Sequence, residues 1–219
     1  MAEVNLLDCY PRSKRPIEER SKLITEDHRQ IARKFGREFF DGDRLYGYGG
    51  YNYHPRFWQD TVQRFRDYYS LSDDANILDI GCAKGFMLYD FKELIPGLTV
   101  AGIDISEYAI DNAIEAMKPF LQVDNANNLP FEDCSFDLVI SINTIHNLPI
   151  EECKQALREI ERVSRKQAFV TVDAWRNDLE KERMLQWNLT GLTYMHTDKW
   201  KEFFLDVGYK GDYYWFIAE

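Results

Sequence analysis

The sequence predicts a doubly wound α/β fold on a parallel sheet. Three observations carry that expectation. Short apolar runs bounded by polar residues recur from residue 76 onward, patterns of helical period separate them, and the first run ends in a glycine-bearing turn. Strand, helix and strand in alternation require right-handed crossovers over one sheet.

Five runs read as buried strands: NILDIG (76–81), LTVAGIDIS (98–106), FLQVD (120–124), SFDLVISIN (135–143) and QAFVTVDA (167–174). The stretches between them are helical. Residues 84–95 repeat apolar side chains at steps of three and four, residues 106–117 open on Ser106 as an N-cap, and residues 150–164 place Ile150, Cys153, Leu157, Ile160 and Val163 on one face. Upstream, residues 18–40 and 55–69 read as helices. Downstream, 177–187 and 197–209 read as helices, the latter with a Thr/Asp start and a glycine stop, and 211–219 reads as a closing strand. A single domain over 1–219 is the economical expectation, with 1–70 an N-terminal helical cap and lid and 71–219 the core.

Composition narrows the partners. With 45% hydrophobic and 29% charged residues, the 219-residue chain can bury a sizeable core. A net charge of −10 argues against nucleic acid, whose phosphates need a positive face. Cys9, Cys82, Cys134 and Cys153 show no CxxC pair, so free thiols in a reducing cytoplasm are expected. No run reaches the ~18 apolar residues of a membrane span, and the start has no signal-peptide core. The expectation is a cytoplasmic protein with no membrane, nucleic-acid or metal partner; oligomeric state is not legible.

In such a sheet the ligand crevice lies beyond the carboxyl ends of the strands. At the first end, Gly81-x-Ala83-x-Gly85 makes a turn with little side-chain bulk, leading to a helix N-terminus with free N–H groups. At the second, Asp104 lies 19 residues beyond Gly85, where a carboxylate can accept both ribose hydroxyls of an adenosine. At the third, Asp124 can reach an adenine edge.

LDIGCAKGF, GIDIS, VDNANNLPFEDCSFDLVIS and NTIHNL together resemble motifs of the class I S-adenosylmethionine-dependent methyltransferases, over about residues 75–175 and loosely again at GYKGDYYWFI. The resemblance implies a Rossmann-like, mostly parallel sheet of about seven strands under an N-terminal helical cap. It implies S-adenosyl-L-methionine as cofactor and S-adenosyl-L-homocysteine as product. Asp79, Gly81, Cys82, Ala83 and Gly85 would form the cofactor loop, with Asp79 and Gly81 near the methionine moiety. Asp104 would hold the ribose, Asp124 and Asn125 would read the adenine, Ile105 would pack on its ring, and Asn143 would face the sulfonium end. Ala83 stands where the family usually has glycine. A nicotinamide-dependent oxidoreductase would use G-x-G-x-x-G, but the corresponding residues are Gly81, Ala83 and Phe86, so two of three fail. A non-catalytic adenosyl-nucleotide-binding module is a third reading.

Methyl transfer needs an aligned acceptor and, for a hydroxyl, a base. His146, just after the fourth strand, is the candidate general base or acceptor ligand; its bland reading is a loop-capping histidine. Asp173 and His196 are candidate walls, with helix capping by Thr197 an equal account of the latter. The stretch GYGGYNYHPRFW (47–58) pairs glycine freedom with aromatic mass, as a lid over the crevice would. Tyr48, Tyr51 and Tyr53 would offer walls with hydroxyl tips, and Arg44 or Arg56 could hold an anionic group. The expected substrate is a small polar metabolite methylated on oxygen or nitrogen.

Overall fold

The computed structural model describes residues 1–11, 16–49 and 51–218. Seven parallel strands form its sheet: β1 (Asn76–Ile80), β2 (Thr99–Asp104), β3 (Leu121–Val123), β4 (Phe136–Ile142), β5 (Ser164–Trp175), β6 (Met195–His196) and β7 (Asp212–Phe216). The order is β3-β2-β1-β4-β5. The far edge of β5 is shared by β7, along Phe169–Asp173, and by β6, at Ala174 and Trp175. The chain reverses direction across the sheet between β1 and β4, where a doubly wound fold opens its crevice.

The pleat sends alternate side chains to opposite faces. Ile77, Leu138, Ile140 and Phe169 meet α4 (Gln59–Tyr69) and α5 (Phe86–Leu94) through Val62, Phe65, Met87, Leu88 and Phe91. Leu78, Ile80, Val139, Val170 and Val172 meet α7 (Ile150–Val163) and α9 (Thr197–Val207) through Leu157, Ile160, Trp200 and Phe204. By the same alternation, Asp79, Asp104 and Asp173 leave the carboxyl edge on the α4/α5 face, each beyond an apolar residue of that core.

The N-terminal region differs from the expected long helix over 18–40. It breaks into α1 (Ile17–Ser21), α2 (Glu26–Ala32) and α3 (Arg37–Asp41). Thr25 starts α2 with a reciprocal cap: its hydroxyl accepts from the His28 amide and the His28 ring accepts from the Thr25 amide. Phe35 adopts φ 48°, a left-handed turn that ends α2's path, and Gly36 opens α3. The helix expected over 106–117 is also short. α6 (Glu107–Asp111) stops because the Ile114 amide turns away to donate to the Lys84 carbonyl. The helices expected over 55–69 and 197–209 form, the first opening on a 3₁₀ turn at Pro55–Phe57. It is His196, not Thr197, that caps α9, its ring accepting from the Asp198 amide.

The cap is bonded into the domain. Ala2 and Val4 exchange backbone hydrogen bonds with Tyr213 of β7, α1 packs on α8 (Asp178–Trp187), and Phe65 of α4 is fully buried edge-to-face on Phe169, with centroids 5.0 Å apart. Phe65→Ala should therefore lower stability by about 3–5 kcal/mol in chemical denaturation. A loss below about 1 kcal/mol would make α4 an appendage rather than a layer of the core.

Candidate active site at the carboxyl ends of the strands

The loop after β1 takes left-handed backbone at alternate positions: Gly81 (φ 84°), Ala83 (φ 48°) and Gly85 (φ 76°). Glycine is at home there. Ala83 holds its conformation at a cost of roughly 1–2 kcal/mol. Its amide donates to Asp104 Oδ2 at 2.8 Å, and Asp104 Oδ1 accepts from the Ser106 amide at 2.9 Å. One carboxylate thus clasps the loops after β1 and β2. Burial pushes the Asp104 carboxyl up, and the Ser106 and Ala83 amides oppose that shift. Gly81 is pressed against Thr144, whose Oγ1 lies 2.0 Å from where a Cβ would stand. Cys82 turns its side chain into the α4/α5 core, where burial raises its thiol well above the ordinary value.

The Asp79 side chain is buried and makes no hydrogen bond among the described residues. Burial, then the charge of Asp104, push its carboxyl to about 7. A buried carboxylate with this surrounding is stabilised by an arriving cation. Toward β3, the Asp124 amide donates to the Asp104 carbonyl at 3.0 Å, and Asp124 Oδ1 accepts from the Asn125 amide at 2.8 Å. Ile105 stands beside them 54% exposed, a bare apolar face next to polar edges.

At the end of β4, Asn143 is left-handed (φ 53°), with its side-chain oxygen accepting from the Thr171 hydroxyl. His146 follows on a 3₁₀ turn, Ile145–Asn147, and is buried. Its Nε2 lies 3.4 Å from Asp173 Oδ1, and its Nδ1 has no partner. Its carbonyl accepts from the Leu192 and Thr193 amides, so the loop before β6 closes this end.

The segment over the crevice is anchored without any ligand. The Lys84 ammonium, from the β1 loop, sits on both Asp41 oxygens (2.6 and 2.8 Å) and on the Tyr51 carbonyl (2.9 Å). Tyr108 also donates to Asp41. Burial opposes ionisation of Asp41, but Lys84 and Tyr108 outweigh it and hold the carboxyl below its ordinary value. The Ser106 hydroxyl donates to the Phe35 carbonyl.

The expected hydroxyl tips of the lid are largely committed. Tyr48 accepts from the Leu189 and Thr190 amides, its phenol raised to about 12 by burial and then by the Asp173 charge. Tyr53 donates to Asp90. Tyr51 alone of the three has a buried hydroxyl without a partner. Arg56 is exposed and stacks on Phe57, 4.8 Å from the ring centroid. Gly49 has φ 96°, with Arg44 packed where a side chain would go; Gly50 lies outside the described residues.

Residues 77–167 match a family model described as a methyltransferase domain. That match covers the two strand ends joined by the carboxylate clasp, the end of β3 and the β4 turn. Over those residues the chain is similar to methyltransferase domains. A curated Encephalitozoon cuniculi protein provisionally named a methyltransferase is 31% identical over 129 residues, 58% of this chain and 57% of that protein. The chain thus spans less than two thirds of the length of the curated relative it matches. In fold, the chain resembles a SAM-dependent methyltransferase of Methanosarcina mazei (TM-score 0.52, 23% identity, 65% of this chain and 82% of that one). It also resembles the [4+2]-cyclase SpnF (TM-score 0.51, 20% identity, 68% and 58%). The family match favours methyl transfer over the nicotinamide-dependent reading.

Several residues that shape this candidate site carry no local sequence signal. Lys84 and Asp41 pair across 43 positions, and Arg20 reaches the carbonyls of Arg44, Gly47 and Trp187 while lying over the Trp187 ring. The glycine-flanked Lys84, in a loop otherwise without charge, was the one available hint.

The Asp79 carboxyl makes ligand-free stability pH-dependent. Its folded pKa is raised from 3.8 to about 7, so the folded state keeps a proton that the unfolded chain releases. Stability is lost as pH climbs between those values, and the penalty is complete above 7. Asp79→Asn should therefore gain on the parent as pH rises, by on the order of 2–4 kcal/mol at pH 8 and little at pH 4, read from paired denaturation curves. A pH-independent difference would remove Asp79 as a titrating group.

Proposed function

We propose that this protein transfers the methyl group of S-adenosylmethionine to a hydroxyl or amine of a small polar acceptor, in the cytoplasm. The observation that carries the reading is the buried, unpartnered Asp79 carboxylate beside the Asp104 clasp: it favours a ligand that brings positive charge next to a ribose. When bound, S-adenosylmethionine supplies an electrophilic methyl group on a cationic sulfur. Asp104, with a lone pair free on each clasped oxygen, would accept the ribose hydroxyls. Asp124 and Asn125 would meet the adenine edge, and Ile105 would cover its face. Asp79, Gly81 and Asn143 would lie toward the methionine end, where Asp79 would balance the cation.

The acceptor would enter near Tyr51 and His146, two groups whose buried polar atoms lack partners. Burial lowers the His146 pKa, with Asp173 opposing, so the imidazole is neutral and basic near pH 7. Arg56 and Arg44 have no part in this reading. The net charge of −10 supports a small acceptor over a nucleic acid. The described cysteines are free, as a reducing compartment would keep them, and no helix among the described residues is long and apolar enough to cross a membrane.

Because a cyclase shares this fold, the test must follow the methyl group itself. Label from S-adenosyl-[methyl-³H]methionine should pass to members of a panel of small alcohols and amines, and Asp104→Ala should weaken cofactor binding by ~1.5–3 kcal/mol in calorimetry. Unchanged affinity would dismiss Asp104 as the ribose ligand. His146→Ala should lower kcat by roughly 10²–10⁴-fold at nearly constant cofactor affinity. Lost thermal stability with normal turnover per folded molecule would instead make His146 a loop cap.

A further inference from the structure

We propose that Asp173 is the positioning residue of His146: its carboxylate keeps the ring proton on Nε2 and leaves Nδ1 as the atom that takes the acceptor's proton. The chemistry rests on the methyl-transfer reading, whereas the tautomer can be measured without it.

The geometry leaves little choice of tautomer. His146 Nε2 lies 3.4 Å from Asp173 Oδ1, and both side chains are buried. With hydrogen on Nδ1, a buried N–H would have no acceptor and the Nε2 lone pair would face a carboxylate oxygen. With hydrogen on Nε2, the proton lies on the nitrogen beside that oxygen, and the bare nitrogen is Nδ1, the atom found without a partner. The ring is held from other sides too. The His146 carbonyl accepts from Leu192 and Thr193, and Gly191 leaves only enough room beside Cδ2 that an added Cβ would stand 3.3 Å away. Asp173 is itself held, at its carbonyl, by the Trp200 indole N–H. The 3.4 Å separation exceeds a well-formed hydrogen bond, and such contacts tighten when the acceptor seats.

In the step, His146 Nδ1 takes the O–H or N–H proton as the acceptor atom bonds to the methyl carbon. The electron pair of the broken carbon–sulfur bond remains on sulfur. The imidazolium so formed lies against the Asp173 carboxylate until Nδ1 releases its proton to water.

The test is nitrogen-15 NMR of the His146 ring in the ligand-free protein, together with kinetics of Asp173→Asn and Asp173→Glu. The parent should show hydrogen on Nε2 and none on Nδ1. Asp173→Asn should lose that preference, lower kcat by roughly 10²–10³-fold at unchanged cofactor affinity, and move the acid limb of the kcat–pH profile to lower pH, because the carboxylate that raises the His146 pKa is gone. Asp173→Glu should recover part of the rate. In a His146→Ala background, Asp173→Asn should cost no more than about threefold further. A parent ring protonated on Nδ1, an unchanged tautomer in Asp173→Asn, or additive losses in the double variant would overturn the proposal. If no acceptor takes up label, the methyl-transfer reading fails, and the two NMR spectra still decide for or against Asp173.

Discussion

The site is organised by one carboxylate holding two backbone amides. Asp104 accepts from Ala83 on one oxygen and from Ser106 on the other, which fixes the loops after β1 and β2 to each other. Ala83 explains why the bond matters. An alanine at φ 48° is strained, and in that conformation its amide donates to Asp104. The strain is offset by a charge-assisted hydrogen bond made in a buried place, where such bonds are strong. The clasp also helps keep Asp104 ionised, because its amides offset the cost of burying the charge. A neutral Asp104 would be a poorer acceptor for both loops.

From that clasp the cap inherits its position. Lys84 follows Ala83 directly, and its ammonium reaches Asp41 and the Tyr51 carbonyl; Ser106, which the clasp also holds, reaches Phe35. The glycine–tyrosine stretch is therefore a fitted cover more than a loose flap. Its glycines serve close contact: a Cβ on Gly47 would stand 2.1 Å from the Phe39 carbonyl oxygen. Its tyrosines mainly join the cover to the body, Tyr48 to the loop at Leu189 and Tyr53 to α5 at Asp90. A buried pair such as Lys84–Asp41 adds less to stability than to uniqueness, since desolvation consumes much of the attraction. Moving the cover without exposing Lys84 would leave a buried ammonium without its counter-charge, which favours one closed arrangement.

What was legible in the sequence had local causes. The strand runs, the glycine turn and Asp104 announce themselves through period and spacing, and each formed where expected. The 18–40 helix failed for a local reason of low visibility: nothing in Phe35 signals a positive φ, and the Thr25–His28 cap lies inside an otherwise helical pattern. Tyr48 and Tyr53 were read as free walls because a sequence shows a hydroxyl but not its distant partner. Lys84–Asp41 was invisible for the same reason. His146 and Asp173 stand between these cases. Each marks the end of its own strand, and their meeting follows from β4 and β5 being neighbours, a fact of topology that no window of sequence contains.

That neighbourhood makes the short turn after β4 the structural link between the two halves of the site. Asn143 reverses the chain in a left-handed conformation and ties back to Thr171 of β5. Thr144 then packs on Gly81, against the loop that the Asp104 clasp shapes, while His146, two residues on, lies against Asp173. Thr144 and His146 thus contact opposite ends of the crevice from one rigid turn. A shift of the β1 loop would press on Thr144, because Gly81 has no space to give. The turn is short and bonded at both ends, so such a shift would carry to the His146 ring. The separation between the two ends of the crevice is therefore set by backbone, with Gly81 as its tightest contact, and not by the flexible side chains that line it.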